Sequence, residues 1–318
     1  MERGRSSRAR LSVLPEEVVQ SRPRLCLAEG WMELHLGHLD AAERLVKSAE
    51  HAFSQEEEPP RKLELPTVGG MVTSGPAAAL ALIRADLAAA RGEIEGQAHW
   101  ARLALSQMGP EDLGPRLLAR FQLACVDWMA GRLGRAEPAL ARLLSDGRAA
   151  PDPYPLMPSC FALCQVQAGR GRLSIALRTN RESLSLATKG GRMSTFHAGE
   201  AHIGIAQVLY QRDELDNALR HATTGTDLCR HVVEFALPAV GLVILGWIHH
   251  ALGEGDAAVE AMDEACRIRP SHGFVALWNP AQAERARLVL AHGRMDEVAR
   301  WIEEQGLSAY DEVSFPRA

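Results

Sequence analysis

The chain has 318 residues, of which 47% are hydrophobic and only 5% aromatic, with a formal net charge of −5. An apolar complement rich in Ala and Leu and poor in rings fits closely packed helices and argues against a β-sandwich, whose strands favour β-branched and aromatic side chains. The acidic balance excludes a direct nucleic-acid partner, because a phosphate backbone is held by clustered positive charge.

Arg3 to Arg10 make a short basic arm with no apolar stretch behind it. Residues 1–22 are therefore expected to be an arm and a short cap around Pro15 to Gln20, and neither a signal peptide nor an anchor. The longest nearly apolar run, Phe235 to Ile248, is 14 residues. A bilayer needs about 20. Six cysteines are scattered at 26, 125, 160, 164, 229 and 266. Reduced thiols of a cytoplasmic protein fit that scatter better than a disulfide framework.

From residue 23 onward the apolar spacing predicts helices in pairs: 23–36 with 39–52, 76–90 with 94–108, 113–130 with 133–146, 156–168 with 173–189, 194–211 with 215–230, 235–251 with 255–268, and 276–291 with 295–305. Ser54 to Gly75, with its Glu56-Glu-Glu58 run and several Pro and Gly, is expected to be a mobile inserted loop. Pro151 to Pro158 mark a second break, and Pro138 falls in the first part of a second helix, where a mild kink is expected. The repeat domain is placed at 23–305 and a tail at 306–318.

The pairs share a turn. Gly37-His-Leu39-Asp-Ala-Ala42, Gly131-Arg-Leu133-Gly-Arg-Ala136, Gly171-Arg-Leu173-Ser-Ile-Ala176 and Asp213-Glu-Leu215-Asp-Asn-Ala218 recur, with weaker copies at Gly92, Gly253 and Gly293. Successive turn residues lie 55, 39, 40, 42, 40 and 40 positions apart, and the 55 contains the inserted loop. A glycine there takes positive φ at the end of one helix, and Asp213 is the tolerable substitute. Seven positions before each turn stand Gly30, Ala85, Ala124, Cys164, Ala206, Gly246 and Ala286. All are small, as close antiparallel packing demands. The expected fold is thus all-α: a tetratricopeptide-like α-solenoid of about seven antiparallel helix pairs in a superhelix.

If that geometry holds, positions 13, 10, 6, 3 and 2 before each turn face inward. They yield Trp31, Phe121, Trp128, Phe161, Gln165, Glu200, Gln207, Tyr210, Trp247, His250 and Arg287. Indoles stack on flat faces and amides orient polar groups, so such a groove suits a peptide or a sugar-like effector. For Trp31, Trp128 and Trp247 the alternative is that they fill gaps between repeats.

A turn Gly with a small residue seven before and Ala five after resembles the tetratricopeptide pattern, lengthened toward 40 residues. Leu14-Pro-Glu-Glu-Val-Val19, Ser21-Arg-Pro-Arg-Leu25, Tyr210-Gln-Arg-Asp-Glu-Leu-Asp216, Gly293-Arg-Met-Asp-Glu-Val-Ala-Arg-Trp301 and Gly306-Leu-Ser308 resemble the helical sensor region of MalT-type, large ATP-binding LuxR-family transcriptional regulators. The resemblance spans about 11–315. It implies effector sensing beside a nucleotide-binding switch and a DNA-reading helix-turn-helix. No Gly-x-x-x-x-Gly-Lys-Ser/Thr loop occurs, and only 17 residues follow Trp301. The chain is therefore expected to be the sensor segment alone, attached to the other parts or acting in trans.

Catalysis and metal binding are not expected. Cys160 and Cys164 share a helical face but have no second Cys/His pair at finger spacing. His197 with His202, and His249 with His250, lack the i, i+4 spacing of a helical zinc site. The Glu56–Glu58 run is a solvated tip, because acid–base work needs carboxylates in differing environments. No Gly-x-Ser-x-Gly elbow is present, and Glu200 with His250 is the nearest acid–base pair that can be assembled. No cofactor is expected in this chain. The two functional expectations are a sensor for a small effector or partner protein, and a protein–protein scaffold without a small ligand. Self-association through the last helix pair is expected, since an uncapped array exposes its end faces.

Overall fold

In a computed structural model of the chain, the described residues are 22–35, 37–55, 63–64, 72–73, 75–147, 156–187, 193–230, 237–268 and 281–308. Among them the fold is all-α and of tetratricopeptide type, with seven helix pairs. These are α1 (Pro23–His35) with α2 (Leu39–Ser54), α3 (Pro76–Arg91) with α4 (Ile94–Ser106), α5 (Leu113–Met129) with α6 (Leu133–Gly147), and α7 (Leu156–Gly169) with α8 (Leu173–Ala187). They continue with α9 (Met193–Gln211) and α10 (Leu215–Arg230), α11 (Leu237–Ala251) and α12 (Gly255–Arg267), and α13 (Ala281–Ala291) and α14 (Met295–Gln305).

The turn residues explain the pairing. Gly37, Gly92, Gly131, Gly171, Gly253 and Gly293 all have φ between 70° and 80°, and Asp213 takes 61° as the sole non-glycine of its kind among the described residues. A left-handed residue at this point lets its own N–H and the following one turn back and close the helix end. Thus Gly253 and Glu254 donate to the carbonyls of His250 and His249, and Asp213 and Glu214 to those of Tyr210 and Leu209.

The chain forms two compact units. The first holds α1 to α4 with nearly all of α5 and α6, and the second most of α7 onward through α14. In the second unit α11 packs on its own partner α12, on the second helix before it, α10, and on the neighbouring first helices α9 and α13. One core there runs through Ile203, Ala206, Leu209, Ala218, Ala222 and Ile248. The small residues seven before each turn are buried throughout.

Within the inserted segment, residues 54–55, 63–64, 72–73 and 75 are among those described. Helix α2 reaches Ser54, and Leu63–Glu64 (β1) pairs antiparallel with Val72–Thr73 (β2), Leu63 opposite Thr73. Helix α3 then enters with Pro76 in its first turn, where the missing N–H has no helical acceptor to lose. Helix α7 likewise starts inside the proline run, at Leu156. Residues 1–21 and 309–318, and the predicted helix starts at 235 and 276, lie outside the described residues.

Candidate functional site

In the second unit a polar and aromatic ladder crosses four consecutive first helices. Gln165 on α7 donates its amide N–H to the carbonyl oxygen of Gln207 on α9 at 2.5 Å. On α11 the Trp247 indole N–H donates to Glu284 Oε2 on α13 at 2.8 Å. Arg287 donates to both oxygens of the same carboxylate, at 2.9 and 3.1 Å, while its guanidinium lies 5.3 Å from the centre of the Trp247 ring. Trp247 also meets His250 edge-to-face at 5.7 Å, and His250 Nδ1 lies 3.2 Å from His292 Nε2. Tyr210 joins the group electrostatically. Burial raises its hydroxyl pKa, Arg287 opposes that rise and Glu284 adds to it.

Sequence spacing therefore placed Gln165, Gln207, Tyr210, Trp247, His250 and Arg287 on helices of one unit, where the first five are half-buried and Arg287 is exposed. Trp31, Phe121, Trp128 and Phe161 are a correction to the expected groove. At 4%, 5%, 5% and 3% exposure they are interior side chains and offer a ligand no surface. Their neighbours close over them, which spacing within one helix does not reveal. Glu200 is 9% exposed and sits 3.3 Å from His197 rather than beside His250, whose partner is His292. Burial raises the Glu200 pKa and the His197 contact holds it down.

Two polar groups in the ladder were missed from sequence, Glu284 and His292. Glu284 stands nine before its turn, and it bonds to Trp247, six before the preceding turn. The same six-to-nine relation appears in the first unit. Asp86, six before Gly92, accepts from the amide N–H of Gln122, nine before Gly131. The Gln122 carbonyl oxygen in turn accepts from Gln97 on α4. Gln97 and Gln122 are 0% and 3% exposed, and Gln97 Oε1 has no partner. Gln97 intrudes where the other turns place Ala or Val, five residues on. Burial alone lifts the Asp86 carboxyl to about 7. Its charge, after burial, raises the neighbouring Cys125 thiol further.

Elsewhere in the second unit His202 and His221 face each other, Nδ1 to Nδ1, at 2.8 Å. Cys160 and Cys164 are buried thiols. Among the described residues no three His, Cys, Asp or Glu side chains converge as a metal set would. No helix among them is long and apolar enough to cross a membrane.

The architecture is shared with solved structures at low identity. A Rap protein complexed with competence and sporulation factor aligns with TM-score 0.59 and 13% identity over 90% of this chain and 75% of that one. NprR in complex with its cognate peptide NprX aligns at 0.61 and 11%, over 94% and 80%. The Rap conjugation gene regulator of plasmid pLS20, in complex with the Phr* peptide, aligns at 0.60 and 11%, over 89% and 84%. At these identities the likeness is one of fold. No curated protein matches the sequence. The family model described as the MalT-like TPR region matches residues 78–316.

Proposed function

Because the chain belongs to the MalT-like TPR region family, we propose that it is a non-catalytic, cofactor-free sensor module that binds a peptide or a peptide-like segment of a partner protein along the ladder of its second unit. The observation that carries this reading is the Gln165–Gln207 bond beside the Trp247–Glu284–Arg287 group. A carboxamide offers one donor face and one acceptor face, as a peptide group does. Either glutamine can exchange its partner for a ligand backbone without leaving a polar atom unmet, while the half-buried Tyr210 and Trp247 offer flat apolar surface to side chains.

Helices that pack side by side lie about 9 Å apart, so four first helices span roughly 27 Å, the length of about eight extended residues. That reach favours a peptide over a sugar-sized effector. The three proteins of the same fold named above, two of them solved with a peptide and one with a sporulation factor, support the same choice. In this reading the module works in the cytoplasm as part of LuxR-type regulation. Ligand-induced rotation between neighbouring repeats passes to attached or separate nucleotide-binding and DNA-binding domains.

The test is thermal stabilisation of the chain across a panel of peptides and metabolites, with Trp247→Ala and Gln207→Ala alongside. Peptide-dependent stabilisation that both variants weaken is expected. Silence to every peptide overturns the reading. Stabilisation by sugars alone returns it to a small-effector sensor.

A further inference from the structure

Asp86 occupies, in the first unit, the register position that carries Gln165, Gln207, Trp247 and Arg287 in the second: six before the turn. It is only partly covered. Among the described residues, the cations on the helices around it are engaged elsewhere. Arg84, two residues earlier, stacks on Trp100 at 4.9 Å and bonds to Glu50. Arg91 pairs with Asp40 and Glu43, Arg120 with Asp146 at 2.8 Å, and Arg116 donates to the Met108 carbonyl at 3.1 Å. What faces Asp86 is Gln122 from α5, with Gln97 of α4 behind it and the Cys125 thiol beside it. The two amides point their dipoles the same way, N–H toward the carboxylate. That arrangement favours negative charge at Asp86 without neutralising it. Elsewhere along this register the polar groups are balanced: Gln165 and Gln207 are both neutral, and Glu284 has Arg287.

We propose that Asp86 anchors a primary ammonium, the α-amine or a lysine amine of a bound peptide, with the Gln97–Gln122 relay holding the carboxylate toward it. An ammonium carries three donors and no acceptor. It meets a carboxylate without displacing Gln122, and it supplies a counter-charge that no described cation gives Asp86. Below neutral pH the exchange is balanced by release of the Asp86 proton to solvent as the ion pair forms. The site lies wholly in the first unit; only the peptide character of the ammonium's carrier borrows from the reading above, and the site itself is testable without it.

The probe is ethylammonium chloride, with tetramethylammonium chloride, which has no N–H, at equal ionic strength. The 13C carboxyl resonance of Asp86 in the full chain, assigned by difference from Asp86→Asn, reports its titration. The expected midpoint lies near neutrality in tetramethylammonium and falls by one pH unit or more in ethylammonium. Equal midpoints in the two salts overturn the site, as does a midpoint near 4 without ethylammonium. If Asp86→Asn fails to fold, the unaltered chain is melted in each salt at pH 6 to 7. Selective stabilisation by ethylammonium is then expected, and equal melting temperatures in the two salts overturn the site.

Three peptides then separate the carriers: tetra-alanine amide with a free α-amine, the same peptide acetylated, and an acetylated form with one lysine. Binding of the first or third, but not the second, identifies the amine. Response to ethylammonium but to none of the peptides keeps the site and removes the peptide carrier.

Discussion

Trp247 donates its indole N–H to Glu284 across adjacent first helices, 37 residues apart in sequence. This bond both ties the last two repeats together and sets the pose of Arg287, which shares the Glu284 carboxylate. Trp247→Phe keeps an aromatic ring and removes the donor. A loss of about 1 kcal/mol is expected, the usual net worth of a hydrogen bond, somewhat more because the acceptor is charged. Hydrogen exchange in α13 should accelerate while α9 and α10 stay protected. A double cycle with Glu284→Gln should show coupling between the two sites, and additive losses would mean the bond contributes nothing.

The close approach of α9 and α10 rests on glycines meeting backbone to backbone. A Cβ on Gly199 would lie 2.9 Å from the Gly225 carbonyl oxygen and 2.5 Å from Cys229 Sγ. Gly199→Ala therefore forces two helices apart, with an expected loss of about 3 kcal/mol, the upper end for overpacking. At Gly246 the nearest atoms are Cε and Cγ of Met262, at 2.8 and 2.9 Å. The Ala258 carbonyl oxygen also stands 3.2 Å away and Met262 is buried, so the better helix propensity of alanine, worth about 1 kcal/mol, offsets only part of the crowding. Denaturant midpoints of the two variants, measured side by side, should differ, with Gly246→Ala losing less than Gly199→Ala.

The turn and its spacing were legible because one physical requirement, a left-handed residue ending each first helix, selects glycine every forty positions. Asp213 fitted the column without being glycine, and its φ of 61° explains why. The ladder was legible only in part. Distance from the turn fixes where a side chain points around its own helix, but the next helix decides whether it is covered. Trp247 and Trp31 hold the same register position, yet Trp31 is buried and Trp247 half-open. Glu284, His292 and Asp86 were missed for a related reason: their meaning lies in the neighbour across the repeat boundary, which a single-repeat pattern does not contain.

Asp86 makes stability depend on pH above the acid range. Its folded pKa of about 7 stands above the ordinary aspartate value of 3.8, so the folded chain holds a proton that the unfolded chain releases. The Asp86 contribution is full below about pH 4, declines as pH rises to 7 and is level beyond. Asp86→Asn should leave stability unchanged near pH 4 and raise it at pH 8. An upper bound on the gain is about 4 kcal/mol, at about 1.4 kcal/mol per pH unit. Thermal unfolding at the two pH values checks it; equal effects at both would place the carboxylate in water.

The His202–His221 pair acts in the opposite direction. Burial lowers both pKa values, and for His221 the charges of His202, Arg220 and Arg181 lower it further. The folded state thus prefers neutral rings, and its stability is lost as pH falls below the unfolded value of about 6.5. Replacing both histidines with glutamine should flatten the decline between pH 7 and 5 and leave the Asp86-dependent slope in place. An unchanged acid limb would assign that limb to other groups.

The last helix pair differs from the six before it at one repeated position. Nine residues after each turn, Val46, Ala101, Leu140, Asn180, Ala222 and Met262 are 0–1% exposed, and Met262 is covered in part by Leu288 of the following pair. The seventh, Ile302, is 40% exposed, with Met295 at 62% and Leu307 at 47%, and α14 buries no side chain. Water-facing apolar groups on one amphipathic helix favour association with a second copy, as each buried side chain contributes about 1.5–3 kcal/mol. Sedimentation velocity should show average mass rising with concentration for the unaltered chain. A Met295→Glu, Ile302→Glu double variant should remain monomeric with an unchanged helical signal. A monomer at every concentration in the unaltered chain would mean this face stays in water despite its composition.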